Sequence, residues 1–275
     1  MNAPAAGPWR RLTVAVGNLM FRYRNAAFPA TFAIVVLFMH PRLIGSPTLD
    51  RWLTWVGCGV ALLGQAIRLS TIGFEYIERG GKEGKVYASR LVQGGVYGLS
   101  RNPMYVGNGL IATGMIMLIG APWVYAVVLP LFLFIYYAIV AAEETYLHGK
   151  FGPEYEAYCA RVPRWRPAWR NRRQAFTGMR YNWRRAVRKD LGTITGLLVG
   201  IIAIPAWRVF LVHGFATAKP RLVVAAAGVA VVLGVYAVLA YCKKRRVLFY
   251  TADEFAPDDP MRARLLKSQP PRIAA

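Results

Sequence analysis

Six uninterrupted apolar blocks, at about 26–39, 52–67, 104–119, 123–142, 191–207 and 222–242, limit what this chain can fold into. In hydrocarbon, every backbone N–H and C=O must be satisfied by a helix or by a closed barrel. Barrel strands alternate apolar and polar residues, and these blocks do not, so helices remain. A helix crosses a bilayer core about 30 Å thick with about 20 residues. The first three blocks are short for that, which predicts tilt or partial interfacial placement. Composition agrees: 56% of residues are hydrophobic and only 17% charged, a pairing that soluble domains seldom show. The expected fold is all-α, a polytopic integral membrane protein with about six transmembrane helices.

The placement of charge sets an expected orientation. The net charge is +22. With both termini in the cytoplasm, 30 of the 35 Lys and Arg residues fall on the cytoplasmic side, in the N-terminal stretch, 68–101, 143–189 and the tail after 242. Arg42, Arg51, Arg208, Lys219 and Arg221 fall outside. This follows the positive-inside rule and predicts the cytoplasmic membrane, with both termini cytoplasmic. The basic bias tracks topology, so a nucleic-acid partner is not expected. A basic stretch precedes the first apolar block without a clear small-x-small site after it, which argues against a cleaved leader. Cys58, Cys159 and Cys242 are far apart and form no CxxC, so neither a metal site nor a disulfide framework is expected.

The segments between the blocks suggest five regions. Residues 1–25 mix Arg with apolar side chains and predict an interfacial N-terminal segment. Residues 26–168 form a membrane core. Within it, 70–100 carries many glycines, among them Gly80, Gly81, Gly84, Gly94, Gly95 and Gly98, and reads as loop. Residues 169–189 alternate Arg with Trp169, Phe176, Tyr181 and Trp183, as an anchor on anionic lipid would. Residues 190–242 add a helix pair, which Lys243 and Lys244 stop. The tail, 243–275, reads as a polar surface segment.

One hairpin carries the chemistry. Residues 104–119 and 123–142 are joined by Gly120, Ala121 and Pro122, so the two helices must be antiparallel. Arg101, before the first, and Glu143-Glu144, after the second, then share one membrane face. Arg101 is a natural partner for one acid. Adjacent acids diverge by about 100° on a helix, so the two face different surroundings. Asn102 and Pro103 suit a helix start, Asn as cap and Pro in the first turn. Leu147, Phe151, Tyr155 and Tyr158 share a helical face, interrupted by a Gly152-Pro153 break.

These pieces combine into a resemblance. Leu91-Val92-x-Gly94-Gly95-Val96-Tyr97, Arg101-Asn102-Pro103-Met104-Tyr105-Val106-Gly107, Glu143-Glu144-x-x-Leu147, Phe151-Gly152-x-x-Tyr155-x-x-Tyr158 and Arg161-Val162-Pro163-Arg164-x-x-Pro167 follow in order. Over about residues 51–168 the chain resembles the isoprenylcysteine carboxyl methyltransferase family, a group that includes the membrane phospholipid methyltransferases. The resemblance implies an enzyme that uses S-adenosylmethionine, with a cytoplasmic cofactor pocket and a lipidic methyl acceptor. It implies catalytic roles for Arg101, Glu143, Glu144 and Arg164, and cofactor contacts from Tyr97, Asn102, Tyr105, Leu147 and Tyr158. Family members commonly have His where this chain has Asn102, and Asn cannot act as an acid or base near neutral pH. Membrane reductases of the sterol-reductase kind are similar in the Arg-x-Pro-x-Tyr and Val-Pro-Arg regions and would use NADPH. The adjacent acids followed by Leu147 favour the methyltransferase.

Overall fold

The computed structural model describes residues 7–38, 47–75, 88 and 90–245. They form α1 (Pro8–Phe38), α2 (Pro47–Phe74), α3 (Pro103–Ile119), α4 (Leu129–Phe151), α5 (Pro153–Arg161), α6 (Arg172–Phe176) and α7 (Trp183–Lys244), with no strand among the described residues. Short 3-10 turns occur at Gly95–Gly98 and Trp169–Asn171, and a π turn at Val124–Val128 leads into α4. The predicted glycine loop around Gly80, Gly81 and Gly84, and the tail from Arg246, lie outside the described residues.

Thr48–Phe74, Val124–Phe151 and Trp183–Lys244 are long and apolar enough to cross a membrane, and Ala26–Leu37 and Pro103–Ile119 are shorter apolar helices. With its 62 residues α7 would be about 93 Å long if straight, some three times a hydrocarbon core. It is not straight. Gly214, at φ 77° and ψ 175°, leaves the helical region, which a residue without a Cβ does most easily. A Cβ at Gly228 would lie 3.4 Å from Ile202, so the two halves run side by side. Thus α7 supplies two antiparallel segments, 183–213 and 215–244. With α1 to α4 they make six, and the protein is an all-α membrane protein.

Two boundaries differ from the sequence reading. The interfacial stretch and the first apolar block are one continuous helix, α1, with Pro29 inside it. The reason is tertiary: Gly17, Phe21, Arg24 and Phe28 form one stripe that meets α4 across the expected boundary at residue 25. A Cβ on Gly17 would fall inside the Ala138 carbonyl, and Phe28 packs against Phe132 and Tyr136. The expected loop between 207 and 222 is also absent, because the chain turns within the helix at Gly214.

Helices α2 and α3 approach to backbone contact. Gly57 lies against the Gly114 carbonyl and Gly64 against that of Gly107, where added Cβ atoms would sit 2.8 and 2.5 Å from oxygen. Both pairs are seven residues apart, so the two glycine rows face each other in antiparallel register. Lipid tails are as apolar as side chains, so close packing of small residues drives such contacts. The hairpin turn is as expected: α3 ends at Gly120, whose φ of 72° is left-handed, and the helix restarts at Pro122.

Helix α2 also binds the first half of α7 through a buried ion pair near each end. Asp190 Oδ2 accepts from Arg68 Nε at 3.0 Å and from Gln65 Nε2 at 2.7 Å. Arg68 also reaches Asn108 of α3 and, at 3.2 Å, Thr193. The Asp190 side chain is completely buried. At the other end Arg208 pairs with Asp50 and donates to the Leu118 carbonyl at 3.2 Å. Arg68 is therefore not a loop charge, as the sequence count assumed, but a buried charge within α2. The two pairs are 18 residues apart on each helix, about 27 Å.

Breaking one partner of a buried pair costs about 3–5 kcal/mol, because it strands the other charge. Asp190→Ala should therefore lower thermal stability in detergent by that order. Arg68→Met combined with Asp190→Leu should recover most of the loss. A single variant as stable as the parent would show that the pair contributes nothing.

Candidate active site

The polar face of the hairpin is assembled by backbone before side chains. The 3-10 turn at Gly95–Gly98 leads to Ser100 and Arg101, which lie along 163–168. Arg101 N–H donates to the Pro163 carbonyl at 2.9 Å, and Ala168 N–H to the Leu99 carbonyl at 2.8 Å. Ser100 Oγ donates to the carbonyls of Arg164 and Trp165 at 3.3 and 3.2 Å. This clasp places the Arg-Val-Pro-Arg run beside the start of α3. Gly152 ends α4 with φ 48°, and α5 then turns back toward the same spot.

Four predicted residues meet there. Glu144 Oε2 pairs with Arg164 Nη2 at 2.7 Å. Glu144 Oε1 accepts from Asn102 Nδ2 at 3.2 Å and lies 3.7 Å from Arg101 Nη1. Asn102 Nδ2 also reaches the Arg164 carbonyl at 3.3 Å. Asn102 thus does not cap α3 with its side chain, as the sequence suggested. Its backbone carbonyl accepts from Tyr105 and Val106 in the ordinary way of a helix start, while its Nδ2 donates to Glu144. Arg101 Nη1 contacts Cys159 Sγ of α5, and Arg164 stacks 5.1 Å from the Tyr137 ring centre. Arg101 Nε and Arg164 Nε are both buried and have no hydrogen-bond partner among the described residues. Burial is the largest influence and works against the Arg101 charge, but Glu144, Cys159 and Tyr155 together outweigh it, and the guanidinium is held above its usual range.

Glu143 is not in this cluster. Its Oε1 accepts from Tyr105 Oη at 2.6 Å, and Tyr105 Oη in turn accepts from Arg24 Nη1 at 2.9 Å. Arg24 lies 3.5 Å from Glu143 directly. The adjacent acids are thus divided, as their divergence on the helix requires. The other predicted residues, Tyr97, Leu147 and Tyr158, lie on the 3-10 turn, α4 and α5. Tyr158 Oη donates to the Tyr97 carbonyl at 2.8 Å and so ties α5 to the 3-10 turn. Burial pushes the Tyr158 hydroxyl well up, so it stays a donor. Leu147 packs with Phe151, Tyr155, Tyr158 and Val162 beneath the arginines. Burial, then the charge of Glu144, raises Tyr155 likewise.

Sequence reasoning missed Arg24 and the closeness of Cys159 to Arg101. The signal for Arg24 was present: it is a charge on an otherwise apolar stripe with Phe21 and Phe28.

Residues 52–154 match the phospholipid methyltransferase family. The chain is also similar to the cobalt-zinc-cadmium resistance protein CzcN of Cupriavidus metallidurans, 29% identical over 162 residues, which cover 57% of this chain and 69% of that protein. Among the described residues no group of three or more His, Cys, Asp or Glu is placed to hold a metal ion. No solved structure matches. The matched segment contains α3, α4, the hairpin turn and Arg101, Asn102, Glu143 and Glu144. The match to this family of membrane methyltransferases is confined to that segment, residues 52–154.

Proposed function

We propose that this protein transfers a methyl group from S-adenosylmethionine to a lipidic acceptor at the cytoplasmic membrane face. The observation that carries the reading is the convergence of Arg101, Asn102 and Arg164 on Glu144, at the end of the hairpin that the family match covers. The residues fit this donor. It carries a carboxylate, and the buried Nε–H groups of Arg101 and Arg164 are two donors without partners among the described residues. When bound, S-adenosylmethionine supplies an electrophilic methyl group on a cationic sulfonium.

The chain's own task is then alignment and exclusion of water. Glu144 balances the two guanidinium groups and fixes their planes. Asn102 bridges Glu144 to the Arg164 backbone and needs no titration to do so. Leu147, Tyr155, Tyr158 and Val162 close the site from below, and Tyr97 is held by Tyr158. Glu143, with Tyr105, stands one helical step away and faces the acceptor. The methyltransferase core is residues 26–168. The helix pair at 190–242 braces it through Asp190 and Arg208. The stretch 169–189 rests on anionic lipid with Trp169, Tyr181 and Trp183 exposed.

Orientation rests on the charge distribution and on the shared face of the helix ends. The start of α1 lies beside the end of α4, and the start of α7 beside the end of α2. In a chain without native cysteines, a cysteine at Pro122 or Thr217 should label from outside, and one at Arg172 should not. The reverse pattern would invert the orientation.

S-adenosylhomocysteine should bind the purified protein and raise its thermal stability, by about 2.7 kcal/mol at a hundredfold excess over Kd. NADPH should give no shift. Glu144→Gln should abolish most of the stabilisation, and an undiminished shift would remove Glu144 from the donor site.

Arg101→Lys keeps a charge near Glu144 but loses the planar fork. It should fold and insert normally yet lose at least about tenfold in methyl transfer, equivalent to roughly 1.4 kcal/mol of transition-state stabilisation. Full activity would reduce Arg101 to a clasp on the hairpin.

A further inference from the structure

We propose that Arg24 is a positioning residue for the acceptor side of the site, acting through Tyr105 on Glu143. The proposal rests on the methyltransferase reading and extends it to a residue outside the family segment, which begins at residue 52.

Three observations support it. First, Arg24 is a charge in the wrong place for a mere helix anchor. It lies on the α1 stripe that packs against α4, between Phe21 and Phe28, with its Cζ 3.9 Å from the Phe21 ring centre. A charge within such a seam is costly and calls for a partner. Long side chains on a helix lean toward its N-terminus, so Arg24 reaches back over Phe21 to the level of Glu143.

Second, its contacts run in a line. Arg24 donates to Tyr105 Oη, which leaves that hydroxyl's own proton for Glu143 Oε1. The tyrosine therefore has one available orientation. The Glu143 carboxylate is held at Oε1 alone, by Tyr105 and by Arg24 at 3.5 Å. Its Oε2 accepts no hydrogen bond among the described residues, and the side chain is 22% exposed.

Third, this line is separate from the Glu144 cluster. Arg101, Asn102 and Arg164 all engage Glu144, and none engages Glu143. The structure thus divides two neighbouring acids between a donor side and an acceptor side, and Arg24 holds the second. Phe28, Phe132 and Tyr136 line the same seam, apolar surroundings suited to a lipidic acceptor.

The test uses the full chain in liposomes of total lipid extract, with methyl-labelled S-adenosylmethionine and label counted in the organic phase. S-adenosylhomocysteine binding is measured by thermal shift on the same samples. Arg24→Gln should lower kcat at least about tenfold while donor KM and S-adenosylhomocysteine binding change less than about twofold. Arg24→Lys should recover part of the rate, because a cation remains near Tyr105. Tyr105→Phe should lose a similar factor, and the double variant should be no worse than either single one, because both act through one line. The proposal is overturned if transfer is unchanged in Arg24→Gln, if the two losses multiply, or if donor binding falls in step with transfer. The last result would mark Arg24 as a clasp that holds α1 to the hairpin. If Arg24→Gln does not fold, Arg24→Lys and Tyr105→Phe carry the same comparison. A wild-type protein that neither binds S-adenosylhomocysteine nor transfers label would overturn the methyltransferase reading, and this proposal with it.

Discussion

Two helices touch backbone to backbone only where side chains are absent, and the site depends on one such contact. Gly57 and Gly64 of α2 face Gly114 and Gly107 of α3. Adding a Cβ at any of the four would put carbon less than 3 Å from a backbone oxygen. The contact fixes the height of α3 against α2, and so the height at which Arg101 and Asn102 leave the membrane. Arg68 then crosses from α2 to both Asn108 and Asp190, which locks the same pair of helices to α7. The polar cluster around Glu144 sits on this framework, and its second wall, 163–168, is tied on by two backbone hydrogen bonds and by the side chains of Ser100 and Asn102.

The arrangement explains how one dipeptide serves two surroundings. Glu143 and Glu144 leave α4 about 100° apart. One meets the loop from the far side of the hairpin, the other meets a tyrosine on α3 and an arginine on α1. Neither acid is spare, and each is held by groups from at least two other segments. A site of this type owes its precision to helix packing at a distance, because the loops that carry Arg101 and Arg164 have little regular structure of their own.

The hairpin, its turn and the meeting of Arg101 with an acid were legible in the sequence. They rest on local signals: continuous apolar runs, a Gly-Ala-Pro break and acids at a membrane boundary where nothing favours them. The site cluster was legible only as ordered motifs; Asn102 holds the N-cap position of α3 but makes no side-chain cap bond, and its Nδ2 donates to Glu144 instead. Tertiary pairings were invisible. Arg68 and Asp190 are 122 residues apart, Arg68 reads locally as the first charge of a loop, and Asp190 as a solvated charge beside Arg188 and Lys189. The N-terminal stretch misled for a related reason. Its arginines look interfacial until α4 is placed beside them, and then Arg24 becomes an inward charge. The helix pair at 190–242 was legible but the form of its turn was not, because a single glycine, Gly214, with no loop around it, reverses the chain.

The paired charges of α2 and α7 also bear on how the protein is made. Reading along α2, acid comes first and base second, and α7 repeats that order from Asp190 to Arg208. Antiparallel helices with this pattern complement each other in one register. A parallel docking would oppose like charges at both ends, and a shift by one turn would separate both pairs. During synthesis α2 is inserted long before α7 exists, so Asp50 and Arg68 wait in the membrane without counter-charges. The core can settle only when Arg208 has arrived, well past the last residue of the family segment. Assembly is therefore checked late, by a part of the chain that touches none of the chemistry.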